Sequence, residues 1–401
     1  MKKLNIAIVG AGRMGRIRAQ SAGRHPDCRV AAIVDTDLGL AEKLAAEFGC
    51  AVRANWTDLL DRAGHPGEKI DAVVVATPHR FLAPISASFI EAGIHVLCEK
   101  PGARTSAEAE TVLRALYGAW PQTSSTDLPA RRAQGVAQLV MGFTLRHHPA
   151  VQQARKMVAA GEIGRPMYVL GRYGHGGRPG YEREWRGIRE QSGGGELLDQ
   201  GVHLIDLSRC FLGEFQEISG FVDAYYWRAK DAAGNDPVED NAFVLMRSAG
   251  GRVASLHASW TQWKNLFAFD VFGETGSIQV HGLGGSYGPE KIVVAHRRTD
   301  AAENGGAPTI AEIDFSAQQA TGASTDAWAN EWEAFVSAVL HPDSRDPQTS
   351  SAIQPASAID AWQTLRIVEA AYQASEAGAT IRLEGGANAP PGHECRTAHA
   401  V

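Results

Sequence analysis

The sequence predicts an α/β protein in two parts: a doubly wound parallel sheet, followed by an α+β domain with an open, largely antiparallel sheet. Three observations carry that expectation. Short apolar runs alternate with helical ones through residues 1–145, the pattern of strands joined by crossover helices. A glycine-rich turn joins the first run to its helix. Beyond residue 216 the alternation gives way to β-rich runs parted by turn residues, and then to two helical stretches. A chain of 401 residues with 44% hydrophobic content has room for two domains with real cores.

The first strand is Leu4–Val9, followed at once by Gly10-Ala11-Gly12-Arg13-Met14-Gly15 and a helix to about Gly23. In this context G-x-G-x-x-G has a mechanical meaning. The first glycine serves the tight turn, the second lets a pyrophosphate reach the backbone, and the third packs helix on strand. The helix N-terminus then faces the phosphates. A second strand, Arg29–Val34, ends in Asp35, about 20 residues past Gly15, where a ribose-binding acid is expected. Such a carboxylate accepts from both ribose hydroxyls and repels a 2′-phosphate. Asp37 adds a second carboxylate, so the sequence favours NAD over NADP.

Helix Leu38–Phe48, a short strand at Ala51–Arg53 and a helix near Thr57–Ala63 continue the alternation. Strand Ala72–Thr77, Pro78 and a helix near Ala83–Ala92 come next, and strand His95–Cys98 opens into Glu99-Lys100-Pro101. Ligands of such sheets bind beyond the carboxyl ends of the strands. Lys100 stands at one of those ends, where a lysine either faces a ligand or is simply solvated. Pro101 restricts Lys100 to an extended backbone, and the sequence leaves the isomer of that bond open. A helix from Ser106 to about Leu116 comes after it. Residues 117–135 are polar, with two prolines and Arg131-Arg132, and read as a surface loop insertion. Strand Val136–Phe143 closes the first sheet.

The second half, residues 146–384, begins with a helix near Pro149–Ala160 and strand Met167–Tyr173. The loop from Gly174 to Arg186 is rich in glycine, arginine and aromatic residues. Arg172 and Tyr173 at the end of the strand, with His175, Trp185 and Arg186 of the loop, are candidates for substrate contact: ring faces suit the C–H face of a sugar, and arginine supplies forked donors. After Gly193-Gly194-Gly195, a helix from about Glu196 puts Asp199 and His203 four residues apart on one face. A carboxylate beside an imidazole fixes its tautomer and raises its basicity, as a general base near neutral pH requires. The glycines admit close approach of a ligand or of backbone. Runs at Glu217–Trp227, Ala242–Arg247, Val253–Trp260, Phe267–Phe272, Ser277–His281 and Lys291–Ala295 read as consecutive antiparallel strands. Asn304–Pro308 reads as a loop, Asp326–Leu340 and Ala356–Ala377 as helices of this second domain, and 385–401 as a disordered tail.

A formal net charge of -6 argues against a general nucleic-acid binder and towards a small-molecule ligand. Five scattered cysteines without C-x-x-C spacing fit reduced thiols, hence a cytoplasmic protein with neither a disulfide framework nor a zinc site. No run approaches a membrane span. No metal is expected, because an Asp-x(3)-His pair needs further converging ligands.

Taken together, Gly10–Gly15, Asp35, Glu99-Lys100-Pro101 and Gly193-Gly194-Gly195 with Asp199 and His203 resemble the glucose–fructose oxidoreductase/inositol dehydrogenase (Gfo/Idh/MocA) family, from Lys3 to about Leu383. The glycine fingerprint is common to many families, whereas the later combination is far more specific. The resemblance implies a Rossmann domain binding NAD through Gly10, Gly12, Arg13, Met14, Gly15, Asp35, Thr77, Pro78, Glu99 and Lys100. It implies hydride transfer between nicotinamide and a secondary alcohol of a sugar or polyol, with Lys100, Asp199 and His203 catalytic. It also implies a homo-oligomer built through the C-terminal sheet. One departure stands out: where the family often has T-P-x-x-x-H, Leu82 occupies the histidine position, while His79 directly follows Pro78. Two other activities fit the same scaffold, namely glycoside cleavage or epimerisation through transient oxidation, and nucleotide sensing without catalysis. Lys100, Asp199 and His203 occurring together argue against the sensor.

Overall fold

The computed structural model describes residues 3–60, 69–118, 137–297, 309–315, 326–342 and 354–383. The chain divides into two compact units. The first runs to Thr144 and takes in residues 328–342 and 355–363, and the second holds the remainder of the described chain.

In the first unit, β1 (Leu4–Val9), α1 (Arg13–Arg24), β2 (Cys28–Val34), α2 (Leu38–Phe48) and β3 (Ala51–Arg53) come in order. A 3₁₀ turn at Trp56–Leu59 replaces the start of the helix expected at Thr57–Ala63, and the rest of that stretch lies outside the described residues. Then come β4 (Ala72–Val75), α3 (His79–Glu91), β5 (His95–Glu99), α4 (Ser106–Tyr117) and β6 (Leu139–Gly142). All six strands pair in parallel, in the order β3-β2-β1-β4-β5-β6. The order reverses between β1 and β4, and a crevice at such a switch point is where ligands of doubly wound sheets sit. The strands are nearly continuous apolar runs, as burial on both faces requires. Helix α2 begins on Asp37, whose side chain accepts from the Leu40 N–H at 3.1 Å, and stops at Gly49 in the left-handed region. Asp37 thus caps a helix. Of the 117–135 stretch, Tyr117 ends α4 and Gly118 comes next; the rest lies outside the described residues.

The second unit contributes α5 (Pro149–Ala159), β7 (Pro166–Gly174), the short α6 (Arg189–Ser192), a π-turn at Leu197–Gly201 and α7 (Val202–Leu212). Strands β8 (Phe215–Asp223), β9 (Asn241–Ser248), β10 (Val253–Ser259), β11 (Leu266–Gly273), β12 (Gly276–His281), β13 (Lys291–His296) and β14 (Thr309–Asp314) succeed them. Near the end of the chain lie α8 (Ala327–Leu340), α9 (Ala358–Ala377) and β15 (Ile381–Arg382). The nine strands form one sheet in the order β14-β13-β12-β11-β7-β10-β9-β8-β15.

Two expectations are corrected here. The strands are not all consecutive neighbours: β7 inserts between β10 and β11 and pairs in parallel with β10. No turn signal reveals a strand arriving from 80 residues upstream in the sequence order. Helix α8, expected in the second domain, packs in the first unit: Trp332, Phe335 and Val336 join Ile6, Ile8, Ile33 and Leu97 in one apolar cluster. The Asn304–Pro308 loop and the 385–401 tail lie outside the described residues.

Helix α8 is fastened by charge as well. Arg18 on α1 is fully buried and donates from Nε to Glu99 at 2.7 Å and from Nη1 to Glu331 at 2.5 Å. Trp328 lies against its guanidinium at 4.8 Å. Burial pulls the Arg18 pKa down, but Glu331 and Glu99 outweigh it and hold the group charged. Removing one partner of such a cluster strands the others in the core. Arg18→Leu should therefore destabilise the protein by about 3–5 kcal/mol in urea unfolding; a change below about 1 kcal/mol would show that the cluster is not structural.

Candidate active site

The candidate cofactor cradle of the first unit lies at the ends of β1, β2, β4 and β5. Gly10 has φ of 101°, and a Cβ on it would lie 2.5 Å from the Ala76 carbonyl oxygen, so only glycine lets β1 turn this close to β4. A Cβ on Gly15 would fall 1.8 Å from the Gly10 oxygen, which makes the third glycine the contact between helix and turn. Around Gly12 a Cβ would meet nothing within 4 Å, and no side chain caps the α1 N-terminus there. The first-turn N–H groups of α1, including those of Arg13 and Met14, have no i−4 carbonyl within the helix. That is the arrangement a pyrophosphate fills.

Asp35 accepts from the Ala11 N–H at 2.7 Å and the Asp37 N–H at 2.9 Å. These bonds fix the carboxylate beside the fingerprint, and each oxygen keeps a lone pair for a ribose hydroxyl. At the end of β4 the Thr77 hydroxyl is buried and has no hydrogen-bond partner among the described residues. An orphaned hydroxyl at a strand end is suited to a bound nucleotide. Pro78 precedes α3, and His79 is buried at its first residue. Leu82, which replaces the resemblance's histidine, is fully buried in α3, so this position packs the core. Glu99 turns its carboxylate inward to Arg18, which leaves its backbone as the part that could meet a ligand. Lys100 directly follows β5, half-buried, and the Lys100–Pro101 bond is cis.

The second unit gathers its own cluster around the π-turn and α7. Gly194 and Gly195 resolve the choice between ligand and protein as the close neighbour: a Cβ on Gly194 would meet the Tyr372 hydroxyl at 2.1 Å, and one on Gly195 the Glu239 carbonyl oxygen at 1.9 Å. Glu239 also accepts from the Tyr372 hydroxyl at 2.6 Å and the Leu197 N–H at 3.3 Å, while its carbonyl accepts from the Glu196 N–H at 3.1 Å. This latch holds the start of the turn that carries Asp199. Every residue of α7 is buried, His203 included.

Asp199 pairs with Arg186 at 3.3 Å, and the Arg186 guanidinium lies over the Trp185 ring at 4.3 Å. The Tyr173 ring meets His203 edge-on, centroids 6.0 Å apart, and also contacts Tyr287 at 5.5 Å. Gln200 donates weakly to the Tyr287 hydroxyl at 3.4 Å. Burial, followed by neighbouring acidic groups, pushes the phenols of Tyr173 and Tyr181 well above the ordinary tyrosine range; burial likewise raises Tyr287. Near neutral pH these phenols are neutral donors. With the phenols protonated, the groups gathered here that can take up a proton are the imidazole of His203 and the carboxylates of Asp199 and Glu196.

Two sequence candidates sit elsewhere. Arg172 is on the opposite face of the sheet from Tyr173 and His203, exposed and within electrostatic reach of His257 and Asp270. Successive side chains of a strand alternate, so Arg172 and Tyr173 cannot serve one site on one face. His175 turns to Tyr181 and Trp260, with ring centroids 6.2 Å from each, and its Nδ1 accepts from the Gly177 N–H at 3.0 Å.

Comparison with known proteins gives this geometry its relatives. An oxidoreductase family model, described as an NAD-binding Rossmann fold, matches residues 4–119, and the Gfo/Idh/MocA C-terminal domain matches residues 151–279. A putative UDP-kanosamine synthase oxidoreductase subunit from Amycolatopsis mediterranei is 30% identical over 310 residues, 73% of this chain and 79% of that one. The chain belongs to the Gfo/Idh/MocA family. Levoglucosan dehydrogenase from Pseudarthrobacter phenanthrenivorans is 27% identical over 307 residues, covering 69% of this chain and 73% of the relative. A solved levoglucosan dehydrogenase in complex with NADH and L-sorbose superposes with a TM-score of 0.76 over 96% of this chain and all of that one, at 22% identity, and shares the fold.

This Gfo/Idh/MocA protein is an NAD-binding dehydrogenase acting on CH–OH groups. Tyr181, Tyr287, Glu196, Gln200 and Glu239 escaped sequence reasoning. Tyr287 and Glu239 lie more than 35 residues beyond α7's start in the chain, in turn and loop segments without a motif. Glu196 did carry a signal, an acid directly after three glycines at the head of an apolar helix.

Burial raises the Glu239 pKa, offset in part by the Tyr372 hydrogen bond. The folded state therefore binds this proton more tightly than the unfolded chain. The contribution of Glu239 to stability is greatest at low pH and falls as pH climbs above about 4.3, the ordinary glutamate value. Glu239→Gln keeps an oxygen acceptor and removes the charge, so its melting temperature relative to the parent should rise between about pH 4 and pH 7. A pH-independent difference would contradict the assignment.

Proposed function

We propose that the enzyme oxidises a secondary alcohol of a sugar or polyol with NAD, and that His203 takes the hydroxyl proton as hydride departs from the same carbon. The observation that carries this reading is the composition of the Asp199 cluster: three phenols held protonated and one buried imidazole, on a turn latched by Glu239 and Tyr372. NAD, when bound, supplies the hydride acceptor. Gly10, Gly12, Gly15, Arg13 and Met14 would hold its pyrophosphate, Asp35 its adenosine ribose, and Thr77, Pro78 and the Glu99–Lys100 backbone the strand ends beside it. Lys100 would stabilise the developing alkoxide with its ammonium charge. Asp199, tied to Arg186, would orient the substrate and polarise the proton path. Tyr173, Trp185 and Arg186 supply ring faces and a forked donor suited to a hydroxylated ring.

Among the described residues no helix is long and apolar enough to cross a membrane. The sheet face that carries Arg172 also exposes Leu170, Phe243, Leu245 and Phe221, at 44%, 44%, 52% and 70%. A contiguous apolar sheet face of this kind fits a second copy of the chain, so we propose a homo-oligomer assembled through it.

His203→Ala should lower turnover by roughly 10²–10⁴, the usual worth of a positioned base, with NAD affinity little changed in a fluorescence titration. Turnover near that of the parent would remove His203 from the role. For the cofactor, Asp35→Ala should weaken NAD binding by about tenfold or more and narrow the preference against NADP, the loss of a charge-assisted pair of hydrogen bonds. A parent enzyme that already prefers NADP would contradict the Asp35 argument.

A further inference from the structure

The exposed face of the nine-stranded sheet sets large apolar side chains around a charged centre. Strand register orders them. Phe243, His257, Arg172 and Ala268 lie in one row across β9, β10, β7 and β11. Leu245, Ser255, Leu170 and Asp270 form the next. Arg172 and Asp270 are therefore diagonal neighbours on adjacent strands. Those strands, β7 and β11, stand fifth and fourth in the order of nine, so the two charges sit mid-sheet. Leu170, Phe243 and Leu245 beside them are 44%, 44% and 52% exposed.

Asp270 is the one acid on strands β7, β9, β10, β11 and β12. Towards the sheet's edges, Glu217 is already taken by Arg247 and Arg382, and Glu312 by Lys291. Asp270 is half-buried, and its Oδ1 accepts no hydrogen bond among the described residues. Burial raises its pKa, while His281 and then Arg172 pull it back. Arg172 is exposed and reaches Asp270 as a charge across space, with no hydrogen bond or ion pair joining the two. His257 offers Arg172 no counter-charge: burial and then Arg172 lower its pKa, and its ring stacks on Phe243 with centroids 4.1 Å apart. Covering Arg172 with an apolar partner would strand a guanidinium in the interface. A two-fold axis avoids that, because in an isologous contact residue i of one copy meets j of the other, and j meets i.

We propose that a second copy of the chain docks face to face on this sheet, with Arg172 of each copy bonded to Asp270 of the other as a reciprocal pair at the centre of the dimer. The inference rests on the homo-oligomer proposed above and deepens it by naming the contacts that set its register. A guanidinium presents two parallel N–H groups to a carboxylate, the strongest pairing these side chains have. Leu170, Leu245 and Phe243 around the pair would keep water out, which strengthens it. Apolar contact alone lets one sheet slide or turn on another. Two charge pairs related by symmetry allow one alignment and penalise the rest.

The test is sedimentation velocity of the full-length protein over a dilution series, which reads the dimer dissociation constant. Arg172→Asp and Asp270→Arg should each raise that constant by about 100-fold or more, the effect of breaking a desolvated charge pair twice per dimer. Mixing the two variants in equal amounts tells pairing between copies from pairing within one. One variant then carries acids at both positions and the other arginines, so opposite charges meet only across the axis. The mixture should form a heterodimer, with one variant fluorescently labelled to identify it, within about tenfold of the parent's affinity. No recovery on mixing would overturn the pairing. Single variants that dimerise like the parent would overturn it as well, and Leu245→Arg then judges the earlier reading: loss of the dimer keeps the homo-oligomer on this face, and an unchanged dimer removes it. A parent that stays monomeric overturns both. Should Asp270→Arg fail to fold by circular dichroism, Asp270→Asn, Arg172→Gln and their double variant replace the set. Losses in the double variant no greater than in either single support the pair, and losses that multiply overturn it.

Discussion

The close approach of Glu239 and Tyr372 to Gly194 and Gly195 is the constraint on which the second unit's chemistry depends. Two side chains must be missing for it to exist, and a buried carboxylate must then satisfy the N–H of Leu197. The chain leaves these glycines in a π-turn rather than a regular first turn, and Asp199 projects from within it. Gly201 continues the same logic, since a Cβ there would press on Leu197 at 2.8 Å and Ala258 at 3.4 Å. The turn is thereby seated on β10, and α7 carries His203 beneath β7. π-turns in helices recur at functional sites because the extra residue re-aims a side chain.

The first unit solves a different problem with similar means. A parallel sheet of apolar strands places several strand ends side by side, and glycines at the β1–α1 turn leave the helix N-terminus open. Within its core a buried charge, Arg18, is held between Glu99 and Glu331, and this cluster also secures α8. Glu99 therefore joins two tasks in one triplet. Its side chain anchors the core, and the next residue, Lys100, is delivered to the end of β5.

Much of this was legible in residue order. Alternation of strand and helix announced the parallel sheet, and the fingerprint and Asp35 marked its candidate cofactor edge, because each is encoded in adjacent residues. The triplet and the glycine-Asp-His stretch were legible for the same reason. What sequence could not convey was contact between distant segments. The placement of β7 between β10 and β11, the packing of α8 with β1 and β2, and the Tyr181–Tyr287–Glu196 surroundings of Asp199 depend on partners far away in the chain. Arg172 was misplaced for a simpler reason. Strand parity sends it to the face opposite Tyr173, and composition alone does not count parity.

The central claim is that a carbinol hydrogen leaves a sugar as hydride for NAD. The most direct measurement supplies a substrate sugar deuterated at its carbinol carbons and traces the label by nuclear magnetic resonance. The account predicts deuterium on the nicotinamide ring, with net accumulation of ketosugar and reduced cofactor. Label returned to a rearranged or cleaved sugar, or never leaving it, would contradict the account.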